Sequence, residues 1–184
     1  DITLPIGRLK NMGKKVFLDL KLYDIETTIH NTVSQLANLG VDMLTVHGDP
    51  AIVTAAVKAN TNSSMKILAT TVLSSYNTLD LYNALMVRES RKDLIIERAK
   101  RAIEAGADGL ICPTHALTSL KHMDTTIVCP GIRLEKDLNH DHIECIPPHT
   151  ALENGANYLV LGRPITSNPT TALSRFKEYT DDKP

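Results

Sequence analysis

Four of the nine glycines in this 184-residue chain occupy one repeated setting. Asn11-Met12-Gly13, Asn38-Leu39-Gly40, Glu104-Ala105-Gly106 and Glu153-Asn154-Gly155 each close a helix-like stretch and open a short apolar run. Glycine after the last helical turn accepts the left-handed conformation that ends a helix, so the junction reads as helix, stop, buried strand. The apolar runs that follow are 16–20, 41–46, 110–112 and 158–161, and two more, 67–73 and 126–129, bring the expected strands to six. Helical periodicity fills the gaps: Ile29, Val33 and Leu36 share one face, Ile96, Ala99 and Ile103 another. Strands that are apolar throughout and alternate with amphipathic helices imply a parallel sheet covered by helices.

An open doubly wound sheet and a closed barrel both satisfy that pattern. The polar residues separate them. Asp19-Leu20-Lys21, His47-Gly48, Ser74-Ser75, Pro130-Gly131-Ile132-Arg133 and Gly162-Arg163-Pro164 follow nearly every strand. A doubly wound sheet concentrates its chemistry at one switch point behind a Gly-rich turn, and neither G-x-G-x-x-G nor G-x-x-x-x-G-K-[ST] occurs. A barrel spreads its site over many strand ends and holds phosphate in the last two loops, where Arg133 and Arg163 fall. The expected fold class is therefore α/β, a (β/α)8 TIM barrel. Six strands do not close a barrel of eight, and the chain opens on a helix-like stretch, 9–12. The expectation is a single barrel domain, 1–184, that is N-terminally incomplete, with the first β-α-β lying before Asp1.

Composition narrows the function classes. Lys plus Arg number 20 against 21 Asp plus Glu, a net charge of −1 without a polybasic block, which argues against a nucleic-acid or membrane-surface binder. With 42% hydrophobic residues the chain can build a core. No apolar run approaches the roughly 18 residues of a membrane-spanning helix, and no signal segment opens the chain. Cys112, Cys129 and Cys145 are odd in number and lack zinc-site spacing, as suits reduced thiols in the cytoplasm.

The densest chemistry lies in 15–24. Strand alternation puts Phe17, Asp19 and Lys21 on one face, with Asp24 just past the strand end. A structural ion pair is the plain alternative. Charges on a buried apolar strand are costly unless paired, so their place at a C-terminal strand end favours function.

The run Asp19-Leu20-Lys21-Leu22-Tyr23-Asp24-Ile25-Glu26-Thr27-Thr28 resembles the D-L-K-x-x-D-I-x-x-T signature of orotidine 5'-monophosphate decarboxylases. The resemblance continues in order through Thr45-Val46-His47-Gly48, Thr71-Val72-Leu73-Ser74-Ser75, 108–112, Pro130-Gly131-Ile132-Arg133 and Gly162-Arg163-Pro164-Ile165. It implies a cofactor-free, metal-free decarboxylation of orotidylate to uridylate in pyrimidine nucleotide synthesis. It implies Lys21 as catalytic cation and proton donor, flanked by Asp19. Asp24 and Thr28 would reach the active site of a second subunit, making a homodimer with shared sites. Ser74 and Ser75 match the residues that meet the pyrimidine, and Arg133, Gly162 and Arg163 match the phosphate-binding positions. Where the family carries a glutamine in its phosphate loop, this chain has His142, preceded by Asp141. Glu26 and Thr27 replace the usual Pro-Asn or Gly-Asn, and the family's first Asp and second Lys have no counterpart in 1–184.

Two rival readings are a magnesium-dependent ketohexulose or ketogulonate phosphate enzyme of the same superfamily and a non-catalytic nucleotide-binding relative. The P-G-I-R and T-V-L-S-S stretches argue against the first. Elsewhere the plain readings prevail. His140, Asp141 and His142 read as a polar loop rather than a metal cluster. His47 reads as a packed, hydrogen-bonded residue, and the charge run 88–101 as a solvated helix face. Cys112 and Cys129 read as inert core, and 179–184 as a frayed tail.

Overall fold

Each apolar run read as a strand overlaps one in the computed structural model, which describes residues 2–61, 64–134, 145–172 and 174. The strands are β1 (Phe17–Leu22), β2 (Met43–His47), β3 (Lys66–Thr70), β4 (Gly109–Ile111), β5 (Thr126–Cys129) and β6 (Tyr158–Leu159). The helices are α1 (Thr3–Asn11), α2 (Glu26–Asn38), α3 (Pro50–Ala59), α4 (Thr78–Leu85), α5 (Arg91–Glu104), α6 (Leu117–Leu120), α7 (Pro148–Glu153) and α8 (Arg163–Thr166). The run 67–73 yields a shorter strand than its hydropathy suggests. Beyond Thr70 the chain leaves the ladder, the Thr71 hydroxyl donates to Ile111 O at 3.1 Å, and Leu73 O accepts the Tyr76 N–H in a turn.

The described residues fall into two compact units, one within Asp1–Val72 and Glu89–Ile111, the other within Leu73–Arg88 and Cys112–Pro184. In the first, β1, β2, β3 and β4 pair in that order, all parallel. In the second, β5 pairs with β6, again parallel. Sheet residues Leu44, Val46, Ile67, Leu68 and Leu110 are fully buried. Each such side chain contributes roughly 1.5–3 kcal/mol relative to exposure.

The four recurring glycines do what their setting demands: Gly13, Gly40, Gly106 and Gly155 all have positive φ, between 69° and 106°. Two residues after three of them the fold repeats a further device. Asp42 accepts the Val16 N–H at 2.7 Å, Asp108 the Ile67 N–H at 2.8 Å, and Asn157, through its amide oxygen, the Ile127 N–H at 2.7 Å. The backbone N–H of each acceptor residue in turn donates to the carbonyl of the same partner, at 3.0, 2.9 and 2.8 Å. A Gly-x-Asp/Asn triplet thus clamps the N-terminal end of one strand to the start of the next, satisfying an amide that the ladder does not reach. At Asp42, partial burial pushes the carboxyl up, but the Lys10 ammonium at 2.8 Å and the Val16 amide outweigh it and hold the group below the usual carboxylate range.

Helix faces follow the periodicity in α2, where Ile29, Val33 and Leu36 are buried. In α5 the buried stripe is Ile95, Ala99 and Ala102, one position away from the expected Ile96 and Ile103, which are half-buried at its flanks. The charge run 88–101 is also not uniformly solvated. Arg101 and Glu97 form an exposed i,i+4 pair, but the Arg98 side chain is only 16% exposed and reaches back to the end of β2.

Candidate active site

At the C-terminal end of β1 the strand does not finish as a regular ladder. Its register against β2 shifts between Leu18 and Leu22, and Lys21 adopts φ 47°, in the left-handed region that non-glycine residues rarely enter. Simple alternation through Phe17, Asp19 and Lys21 therefore breaks at the lysine, because the irregularity turns its backbone. The expected charge pair still forms. Lys21 Nζ lies 2.6 Å from Asp19 Oδ2, with both side chains partly open to solvent. Asp24 sits just past the strand as expected, exposed, its Oδ1 accepting the Ile25 N–H at 2.7 Å. Thr28 is exposed on the first turn of α2.

The neighbouring strand supplies the support. Thr45, wholly buried in β2, accepts the Lys21 N–H on Oγ1 at 2.9 Å and donates its hydroxyl proton to Asp19 Oδ1 at 2.8 Å. One hydroxyl thereby holds the lysine's backbone and the aspartate's second oxygen. Two residues on, His47 Nδ1 lies 2.8 Å from Asp49 Oδ2, and the Arg98 guanidinium reaches the other Asp49 oxygen at 3.3 Å. Tyr23, between Lys21 and Asp24, rests its ring on His47 with centroids 4.5 Å apart. His47 is the packed, hydrogen-bonded residue expected. Gly48 admits no side chain, since a Cβ there would stand 2.7 Å from the Thr70 carbonyl oxygen.

The second unit carries the other candidates on loops. Ser74 and Ser75 are exposed in the turn before α4, whose start is fixed by a capping box between Asn77 and Asp80. Arg133 follows β5 and is buried, with Nη1 donating to Ile132 O at 2.9 Å and its backbone N–H to Ile146 O at 3.1 Å. Gly162 leads directly into Arg163, which is exposed at the start of α8. The two arginines thus differ: Arg133 is buried and Arg163 exposed. His142, with His140 and Asp141, lies outside the described residues, as do 179–184. Cys112 and Cys129 are buried as expected. Burial drives the Cys112 thiol well above its ordinary value, reinforced by Cys129, and pushes the Cys129 thiol up to about 12.

Thr45 and Arg98 were not singled out by sequence reasoning as site residues. A hydroxyl inside the otherwise apolar run 43–46 is a usable signal for Thr45. Nothing separates Arg98 from the other cations of its run, because its role depends on where α5 packs.

Comparison with known proteins adds three findings. The family model described as Orotidine 5'-phosphate decarboxylase / HUMPS family matches residues 5–176. A protein of Nitrobacter winogradskyi named orotidine 5'-phosphate decarboxylase is 44% identical over 175 residues, 92% of this chain and 72% of that protein, and one of Jannaschia sp. with the same name is 42% identical over 83% of this chain and 69% of its own length. Among solved structures, orotidine 5'-phosphate decarboxylase from Lactobacillus acidophilus superposes with a TM-score of 0.79 at 33% identity, covering 97% of this chain and 80% of that one. The likeness assigns the α/β, TIM-barrel fold class read from the sequence.

Proposed function

The chain belongs to the Orotidine 5'-phosphate decarboxylase / HUMPS family, and we propose from that premise that it converts orotidine 5'-monophosphate to uridine 5'-monophosphate without a cofactor, within pyrimidine nucleotide synthesis. The observation that carries this reading is the Lys21–Asp19 pair on the kinked end of β1. Loss of carbon dioxide from C6 of orotidylate breaks the C6–carboxylate bond and leaves the electron pair on C6, with no adjacent carbonyl placed to delocalise it. Stabilisation must then be electrostatic, and a fixed ammonium supplies it. Lys21 Nζ transfers a proton to C6 and is reprotonated from solvent. Lysine suits the task better than arginine, being a compact charge that can release a proton.

Asp19 orients the ammonium. Asp24 and Thr28, exposed on the segment that also exposes Tyr23 and Ile25 at 68% and 71%, reach the site of a second subunit in a homodimer. Ser74 and Ser75 meet the pyrimidine. Arg163, with Gly162, grips the phosphate; Arg133 and His142 complete that loop set. Binding energy from the unreactive phosphate then serves to position the base for the transition state. Residues 1–184 belong to one barrel domain of a cytoplasmic enzyme, and among the described residues no helix is long and apolar enough to cross a membrane.

The test is direct turnover by the full-length protein. Orotidylate is consumed with release of one carbon dioxide, turnover is indifferent to chelators, and Lys21→Ala abolishes it while uridylate still binds. Turnover of a ketose phosphate in place of orotidylate, lost on chelation, would overturn the reading.

A further inference from the structure

We propose that Thr45 is the positioning residue of this site, holding Lys21 and Asp19 in their working arrangement through one buried hydroxyl. The inference rests on the decarboxylase reading above. Its ground is geometric. The left-handed backbone at Lys21 costs roughly 1–2 kcal/mol for a residue with a Cβ, so something in the surroundings must over-determine it. The register shift takes the Lys21 N–H out of the ordinary ladder, and Thr45 Oγ1 accepts it at 2.9 Å. The same oxygen passes its own proton to Asp19 Oδ1 at 2.8 Å, which leaves Oδ2 to face Lys21 Nζ at 2.6 Å.

The hydroxyl therefore closes a ring: lysine amide, threonine oxygen, aspartate carboxylate, lysine ammonium. Among the described residues no other side chain hydrogen-bonds to both Lys21 and Asp19. The Lys21–Asp19 pair by itself is partly exposed, and an exposed pair has little power to fix its own geometry. Thr45 is 0% exposed, within a ladder that keeps register from Met43 to His47 against β3, so its oxygen is a rigid reference point. Valine has the same shape and keeps the β-branch. It leaves the Lys21 amide without its acceptor and frees the carboxylate to rotate. Serine keeps the oxygen and loses only a methyl.

Three proteins decide the matter: wild type, Thr45→Val and Thr45→Ser, each full length. A displacement of about 1 Å at a reacting group costs on the order of a hundredfold, so Thr45→Val is expected to lower kcat by roughly ten- to a hundredfold. Uridylate affinity stays within about twofold, because the groups Thr45 holds act on the proton and not on the phosphate. Thr45→Ser retains kcat within about threefold, the oxygen being what matters. Amide exchange at Lys21 quickens in Thr45→Val and not in Thr45→Ser, a readout independent of turnover. The proposal is overturned if Thr45→Val keeps wild-type kcat, if uridylate affinity and kcat fall in step, or if a folded Thr45→Ser loses tenfold. That last arm stands even where the valine variant does not fold. Absence of orotidylate turnover in the wild type would instead sink the decarboxylase reading, with the Lys21 amide still reporting whether Thr45 holds the backbone.

Discussion

The two ends of the strands are built on opposite rules. At the N-terminal ends the same triplet recurs, Gly40-Val41-Asp42, Gly106-Ala107-Asp108 and Gly155-Ala156-Asn157, and each makes the same two hydrogen bonds to the strand beside it. At the C-terminal ends of β1, β2, β5 and β6 the charged groups are each held differently. β1 ends in a left-handed lysine paired to an aspartate, β2 in a histidine held by Asp49, β5 in a loop with a buried arginine and β6 in a loop with an exposed one. Repetition serves register, which every unit needs alike. Variety is what the proposed chemistry requires, since it assigns each position a separate task. The division matches the way barrels separate a stabilising face from a catalytic one.

The sharpest way to break that contrast is Lys21→Gly. Glycine accepts φ 47° without a Cβ penalty, so this variant is expected to lose at least about three orders of magnitude in kcat while melting above Lys21→Ala, by the equivalent of roughly 1 kcal/mol. A melting temperature below that of the alanine variant would show that the kink carries no strain. Next in size, with Arg163 in its proposed phosphate-binding role, Arg163→Ala is expected to remove about 1.5–3 kcal/mol of charge-assisted binding, so KM for orotidylate rises by roughly ten- to a hundredfold with a smaller loss in kcat. An unchanged KM would remove Arg163 from the phosphate site.

The smallest effect belongs to the other end of the strands. Asp42→Asn keeps an acceptor for the Val16 amide but loses the charge facing Lys10, and costs about 1 kcal/mol of stability at pH 7 with kcat untouched. Because the Asp42 carboxyl is depressed in the folded protein, its contribution is present above the ordinary carboxylate range and is lost as pH falls through the folded value. Denaturant midpoints of the two proteins should therefore stay apart at neutral pH and converge as pH falls below the ordinary aspartate value of 3.8. A gap that persists in acid would mean that the ion pair is not its source.

The fold was legible where one physical cause acts locally. Glycine at a helix stop, an apolar run and a period near 3.6 each report on a few consecutive residues, and these placed six strands and the α2 stripe. The Lys21–Asp19 pair was legible for the same reason, being two positions apart on one strand. What escaped depends on neighbours distant in the chain. The kink at Lys21 is satisfied by Thr45, 24 residues on. Arg98 meets Asp49 across 49 residues, and it looks in the sequence like any cation of a solvated helix. The Gly-x-Asp/Asn triplets were visible as letters, yet their purpose appears only when the adjacent strand is in place. The α5 stripe fell one residue from its expected centre because Ile95 and Ile96 are equally apolar, and only packing chooses between them.

The clamps also bear on how the molecule is made. Each joins a strand start to the residue that opens the next sheet position along the chain, across 26, 41 and 30 residues. A nascent polypeptide leaving the ribosome can therefore clamp β1 to β2, and later β3 to β4, without waiting for the remainder of synthesis.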